Sequence, residues 1–182
     1  MMAHRSAATA LRRAALIATA VLAVSAAPAA AQDPAAPDIT DAAFLAQAAQ
    51  ANRFEIMTGR LADRRGSRRI VRRLGRMFVR DHTAALAQGA AVAAKLGVTP
   101  PAGVSRQQAA VVEKLRGLRG RRFDRAWLRA QLAAHVQAVA LHLSGALNGD
   151  SADVRRLATL ALPVVSGHLG ELTVAANHAG AH

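Results

Sequence analysis

The chain has 182 residues, a formal net charge of +13 and no cysteine. The absence of cysteine excludes a disulfide framework, haem attachment through a CxxCH motif and a cysteine nucleophile. Aromatic residues make up only 3% of the chain, so a core must be built mainly from alanine, leucine and valine, and the length suffices for one domain with such a core.

Residues 1–31 have the pattern of a signal peptide. Three arginines precede an apolar run from Ala14 to Ala27, and small residues just before Gln32 fit a cleavage site. The run is shorter than the about 20 residues that a membrane span needs, and we expect no later segment to be long and apolar enough. The sequence therefore predicts an exported protein, periplasmic or extracellular after cleavage and not membrane-spanning; a retained N-terminal anchor is the alternative.

Apolar residues spaced three and four apart predict helices, and no segment has the alternation typical of a strand. The pattern predicts an all-α antiparallel four-helix bundle with a short extra helix in the central crossover. The predicted helices run from Thr40 or Asp41 to Arg64, from Ser67 (as the cap) to Leu96, from Ser105 to Leu115, from Phe123 to Leu147, and onward from Ser151. The predicted organisation is a lead-in at 32–39, a single bundle domain at 40–177 and a C-terminal tail at 178–182.

Each long helix carries an acid or a histidine within an otherwise apolar stripe. Charged or imidazole groups that face a bundle core need partners, because a buried unpaired charge costs several kcal/mol. Counting residues from the two helix turns places these groups near the middle of the bundle. On a helical wheel the acid of the second helix points more directly inward than the histidine beside it. The residues are Glu55, Asp81, His82, His135 and His168.

Two interpretations of these residues stay open at this point. Glu55 and Asp81 can pair with His135 and His168 as a buried polar network that fixes the register of the helices. Alternatively, the carboxylates and imidazoles can hold one ion of iron, manganese, zinc or copper. The Glu-x-x-His motif of di-iron bundles is absent from the sequence, which argues against a full di-iron site. His142 is expected to lie too far along its helix to join the same site.

Arginines recur on one side of the second helix, opposite its apolar stripe. Such a stripe attracts phosphates and anionic lipids, and salt weakens the attraction. Neither stacking aromatic residues nor a nucleic-acid reading motif is present, so no nucleic acid partner is expected. The stripe is either a solvated helix face or a contact surface for anionic components of the cell envelope. A second cluster of arginines lies between residues 116 and 129. The stripe consists of Arg69, Arg72, Arg73, Arg76 and Arg80.

Several motifs occur in one order along the chain: DAAFLAQAAQ…FEI at 41–56, RMFVRDH at 76–82, KLGVTPP at 95–101, FDRAWL…H at 123–135 and LPVVSGHL at 162–169. In these motifs the chain resembles the bacterial exported family known as domain of unknown function 4142, over about residues 38–176. The resemblance implies a ferritin-like helical bundle in the cell envelope and no established reaction. By the same resemblance, the residues at 55, 81, 82, 135 and 168 are the family's recurring polar positions.

Two functions follow from the sequence. The first is a non-enzymatic envelope or stress-related protein. It is favoured because neither a nucleophile motif nor a paired acid and base is evident. The alternative is a metal-binding or weakly redox-active bundle with its site among the buried histidines and carboxylates.

Overall fold

The computed structural model describes residues 39–180, with side chains described as far as His178. These residues form five helices and no strand: α1 (Asp41–Arg65), α2 (Arg69–Lys95), α3 (Arg106–Arg116), α4 (Gly120–Asn148) and α5 (Ala152–Gly180). The predicted all-α class is therefore confirmed for this part of the chain. The predicted signal peptide lies outside the described residues.

The four long helices form two helical hairpins. α1 packs along α2, α4 packs along α5, and the hairpins meet mainly where α1 faces α4. The short helix α3 links the hairpins and contacts both α1 and α4. The gap between α2 and α5 is less closely packed, and this gap positions the site described below.

Local capping residues set two of the helix starts as the sequence predicts. The Thr40 hydroxyl accepts a hydrogen bond from the backbone N–H of Ala43 at the start of α1. Ser105 and Gln108 form a reciprocal capping box at the start of α3. Both caps lie within three residues of the groups they satisfy, which is why the sequence alone reveals them.

The prediction that Ser67 caps α2 is wrong. Arg68 occupies the cap position and makes no side-chain capping bond. Instead, the buried carboxylate of Asp124, on α4, accepts bonds from the backbone N–H of Ser67 at 2.9 Å and of Arg68 at 3.0 Å, and from the Ser67 hydroxyl. A negative group at a helix N-terminus is favourable, and here a distant helix supplies it. Asp124 lies inside α4, which begins at Gly120 rather than near Phe123.

A pair of glycines lets α1 and α2 approach closely. A methyl group added at Gly75 would lie 2.6 Å from the carbonyl oxygen of Gly59 and 2.7 Å from Cβ of Ala62. One added at Gly59 would lie 2.7 Å from the carbonyl oxygen of Gly75. This contact turns the face of α2 that contains Gly75 toward the centre of the bundle.

The core has two apolar clusters with a polar zone between them. One cluster surrounds Phe78 and Trp127, toward the α1–α2 turn, and the other surrounds Phe44 and Val154, toward the α4–α5 turn. The polar zone between them contains buried Glu55, Thr58, His82, Gln131, His135 and His168. The candidate site therefore lies in the middle of the bundle, as the residue counts predict.

The expectation that no later segment is long and apolar enough for a membrane span is wrong for α5. By length and composition alone, Ala152–His178 passes that test, with a mean hydropathy of 1.3 in its most apolar window. A single helix of this kind is weak evidence, because core helices pass the same test. In this structure the buried side chains of Val154, Val165 and Leu172 pack α5 into the bundle.

Candidate metal centre

Three histidines from three helices meet in the polar zone. His82 on α2 is 5% exposed, His135 on α4 is 1% exposed and His168 on α5 is 5% exposed. One ring nitrogen of each lies within 4.8 Å of those of the other two, close enough for all three to share an ion. The sequence could not show whether the groups of the two hairpins converge, and the structure shows that they do.

The ring of Phe78 forms the floor of this histidine cluster. Its centroid lies 4.8 Å from the imidazole centroids of both His135 and His168 and 5.9 Å from that of His82. The other face stacks on Trp127 at 5.8 Å. This packing holds the imidazoles in place and keeps water from that side of the cluster.

In each histidine, one ring nitrogen faces an oxygen that accepts hydrogen bonds. That nitrogen therefore carries the ring proton, and the other nitrogen has a free lone pair. The contacts are His82 Nδ1 with Asn52 Oδ1 at 2.8 Å, His135 Nδ1 with the backbone carbonyl oxygen of Gln131 at 3.0 Å, and His168 Nε2 with Asp81 Oδ2 at 3.1 Å.

The three remaining nitrogens are consequently unprotonated. The Nε2 atom of His82 is buried and has no hydrogen-bond partner among the described residues. The Nε2 atom of His135 and the Nδ1 atom of His168 lie 3.4 Å apart. Two nitrogens bound to one zinc ion at about 2.0–2.1 Å are about 3.3–3.6 Å apart in tetrahedral or trigonal geometry, so this separation fits a shared ion.

All three imidazoles are held neutral by their surroundings. Burial, reinforced by the neighbouring histidines, lowers the pKa of His82 to about 3. Burial lowers the pKa of His135 to about 4, and burial also lowers the pKa of His168. Neutral imidazole is the form that binds metals, so the site needs no proton release at neutral pH.

The two carboxyl groups have opposite charge states. Burial raises the pKa of Glu55 well above its ordinary value, and its Oε1 lies 3.8 Å from His135 Nδ1. Partial burial would raise the pKa of Asp81, but hydrogen bonds from Arg80 and His168 outweigh it and lower that pKa. Burial therefore favours the neutral form of Glu55, while Asp81 is a carboxylate that can balance the charge of a cation. The predicted pairing of Asp81 with His168 is present as a hydrogen bond of 3.1 Å, whereas Glu55 lies beside His135 without a hydrogen bond or an ion pair to it.

The helical-wheel placement of Asp81 and His82 is wrong. His82 lies on the inner face of α2, and Asp81 lies on its flank with 23% of its side chain exposed. The buried face of α2 contains Val71, Gly75 and Phe78, and it is turned inward by the close contact at the glycine pair. An apolar pattern does not reveal this rotation, because glycine adds no hydrophobic signal.

Sequence reasoning also missed two residues that orient the histidines. Asn52 lies three residues before Glu55, and Gln131 lies four residues before His135, each on the inner side of its helix. For Asn52 the only signal is a side-chain amide at helical spacing from a candidate ligand, whereas Gln131 orients His135 through its backbone carbonyl, which leaves no signal in the sequence. The Gln131 side chain also donates to the Thr58 hydroxyl at 2.9 Å, which ties α4 to α1 beside the cluster.

A cavity of about 660 Å³ opens beside the histidines, between the two hairpins. Alanine, valine and leucine side chains form most of its wall, the cluster histidines line one part, and Asp153 and Arg156 also border it. His142 lines the same cavity, outside the group of three that can share an ion, and burial lowers its pKa to about 4. An ion bound by the three histidines would thus have a fourth coordination position that faces the cavity, where water or a small ligand can bind.

The arginine stripe of α2 is mostly engaged within the chain. Four of its five members contact a carboxylate or a carbonyl group, so only part of their charge is available to a partner. The contacts are Arg72 with the Gly66 carbonyl at 2.7 Å, Arg73 with Glu171 at 2.6 Å, Arg76 with Asp63 at 2.7 Å and Arg80 with Asp81 at 2.7 Å.

The family model described as a domain of unknown function (DUF4142) matches residues 25–173. The chain belongs to this family. No curated protein sequence matches the chain. The family membership supplies no reaction, so the function must be argued from the site.

Two solved structures share the fold. A DUF305 fragment from Deinococcus radiodurans aligns with a TM-score of 0.68 and 21% identity, over 80% of this chain and 99% of that one. CopM in its Cu(II)-bound form aligns with a TM-score of 0.67 and 16% identity, over 78% of this chain and 98% of that one. At these identities the likeness shows the fold alone.

Proposed function

We propose that this chain is an exported metal-handling protein in which His82, His135 and His168 hold one copper ion in the middle of a ferritin-like bundle. The observation that carries the proposal is that three buried imidazoles on three helices each bring a ring nitrogen within 4.8 Å of those of the other two. Its envelope location rests on the signal-peptide pattern of residues 1–31.

The donor set favours copper or zinc over manganese. Imidazole nitrogen suits copper, zinc, iron and nickel, whereas manganese prefers oxygen ligands. Neither carboxyl group near the cluster is a preferred ligand: burial favours the neutral form of Glu55, and Asp81 accepts from both His168 and Arg80. The copper-bound state of a protein with the same fold supports copper as the first metal to test.

The groups around the cluster have supporting roles in this proposal. Asn52, the Gln131 carbonyl and Asp81 fix the imidazole tautomers so that a lone pair of each points inward, as second-shell acceptors do in metalloproteins. Phe78 closes one side. The cavity leaves the other side open, so the ion can be taken up and released, which suits binding or transfer of the metal.

Calorimetric titration of metal-free mature protein with Cu²⁺, Zn²⁺ and Mn²⁺ tests the proposal. We expect one copper ion per chain, weaker zinc binding and no manganese binding. Replacing any cluster histidine by glutamine should weaken copper binding by at least about 100-fold, since a metal–ligand bond is lost.

Two other histidines provide matched controls. His142→Gln alters a buried histidine of the same cavity, and His178→Gln alters an exposed one in the last turn of α5. Both variants should bind copper like the parent chain. Copper binding that survives loss of the cluster histidines but not of His178 would contradict the proposal, and circular dichroism separates loss of the site from loss of the fold.

A further inference from the structure

A cleft whose lining includes no histidine lies between α3 and α4. This cleft, here called the basic cleft, has a volume of about 500 Å³ and a floor that includes Val111 and Ala126. Four cationic side chains border it, and no acidic residue is among those that line it. The four are Lys114, Arg122, Arg125 and Arg129.

These cations differ from those of the α2 stripe in their partners. Four of the five stripe arginines contact groups of the chain. In contrast, none of the four side chains of the basic cleft makes a hydrogen bond or ion pair with any described residue. The nearby acid Glu113 pairs with Arg116 instead. The basic cleft therefore concentrates positive charge that the chain itself does not neutralise.

The spacing of the arginines sets the size of the anion that fits. Arg122, Arg125 and Arg129 are three and four residues apart on one face of α4, and they span about 10 Å along the helix. Lys114 extends the charge from α3 on the other side of the cleft. A single small anion cannot contact all of this length, whereas an anion with two or more charged groups can.

We propose that the basic cleft binds a small anion that carries two or more phosphate groups. The planar guanidinium group matches phosphate oxygens in pairs of charge-assisted hydrogen bonds, and several arginines in a row match several phosphates. The concave shape admits a discrete molecule rather than a flat membrane surface, and the apolar floor supports its uncharged part. The sequence predicts anionic envelope components as partners of the α2 stripe, whereas this proposal places a small anion between α3 and α4.

The test is calorimetric titration of the metal-free mature chain with tripolyphosphate and, separately, with inorganic phosphate. We expect tripolyphosphate to bind at least about tenfold more tightly than phosphate, because it engages more than one arginine. The triple variant Arg122→Gln/Arg125→Gln/Arg129→Gln should bind tripolyphosphate at least about 30-fold more weakly.

A triple variant of α2, Arg69→Gln/Arg73→Gln/Arg76→Gln, removes the same charge and serves as the matched control. It should keep nearly full affinity for tripolyphosphate, and His82→Gln should do so too, which separates this site from the metal centre. An equal loss in both triple variants would mean non-specific attraction and would overturn the proposal. Failure of tripolyphosphate to bind, with or without binding to phosphatidylglycerol vesicles, would overturn it as well.

Discussion

The Nε2 atom of His135 lies 3.4 Å from the Nδ1 atom of His168, and neither nitrogen carries a proton, because each ring donates its proton on the opposite side. Two lone pairs thus face each other in a buried setting, with a third from His82 nearby. A proton in that contact would satisfy only the pair and would leave the Nε2 atom of His82 without a partner. A bound cation satisfies all three nitrogens at once, so the arrangement favours the metal interpretation.

Asn52 is predicted to control metal affinity without being a ligand. Asn52→Leu removes the oxygen that accepts the proton of His82 Nδ1, so the ring is free to turn or change tautomer. We expect copper affinity to fall by about 10–100-fold while all three ligands remain. Titration of this variant beside Gln47→Leu, an exposed amide on the same helix, checks the effect. Unchanged affinity in Asn52→Leu would refute the assigned role.

The two carboxyl groups are predicted to respond differently when each acid is replaced by the corresponding amide residue. Because burial favours the protonated form of Glu55, we expect the neutral amide in Glu55→Gln to change the free energy of unfolding by less than about 1 kcal/mol. Asp81 is ionised, so Asp81→Asn removes a negative charge beside the cluster and should weaken copper binding about tenfold. Urea unfolding and copper titration of both variants test this contrast. A copper affinity that falls further in Glu55→Gln than in Asp81→Asn would contradict it.

The glycine contact between α1 and α2 is predicted to be sensitive to one methyl group. Gly75→Ala places Cβ against the backbone of α1 and should lower the free energy of unfolding by about 1–3 kcal/mol. Gly89→Ala, in the same helix with open space around the added atom, should instead raise it by about 0.5–1 kcal/mol. Chemical denaturation of the two variants measures the difference, and equal effects would show that the close contact is absent in solution.

Acid is predicted to destabilise the metal-free fold through His142. Burial lowers the pKa of this histidine from 6.5 to about 4 in the folded state, so below pH 6.5 the unfolded chain takes up the proton first. The contribution of His142 to the free energy of unfolding is therefore fully present above about pH 7, and it is lost as the pH drops toward 4. Between pH 7 and pH 5 this group accounts for a loss of about 2 kcal/mol.

The variant His142→Leu removes that titration. Urea unfolding at pH 7 and pH 5 should show that the variant loses about 2 kcal/mol less than the parent chain over this interval. An identical pH dependence in the two proteins would mean that His142 is exposed or already protonated in the folded state.

Much of the fold can be predicted from the sequence because its signals are local. The start of α1 at Thr40 and the start of α3 at Ser105 depend on residues within three positions of the cap. The apolar spacing also predicts that Glu55 and His135 face the core. There the Oε1 atom of Glu55 lies 3.8 Å from the Nδ1 atom of His135. Periodicity reports which side of a helix is apolar, and for these helices that side is the buried one.

The parts that the sequence does not reveal depend on distant contacts. The inward turn of His82 follows from the close approach of Gly75 to α1, and glycine leaves no mark in a hydrophobic pattern. Asp124 satisfies the start of α2 from another helix, across more than fifty residues of sequence. Such relationships become visible only when the helices are packed together.

Pulsed electron paramagnetic resonance of residues 32–182, loaded with a single equivalent of Cu²⁺, decides whether the three histidines bind the metal. We expect the signals of three imidazole nitrogens, reduced to two in His82→Gln, His135→Gln and His168→Gln and unchanged in His142→Gln. A spectrum that is the same in all four variants would place the copper elsewhere and contradict the three-histidine site.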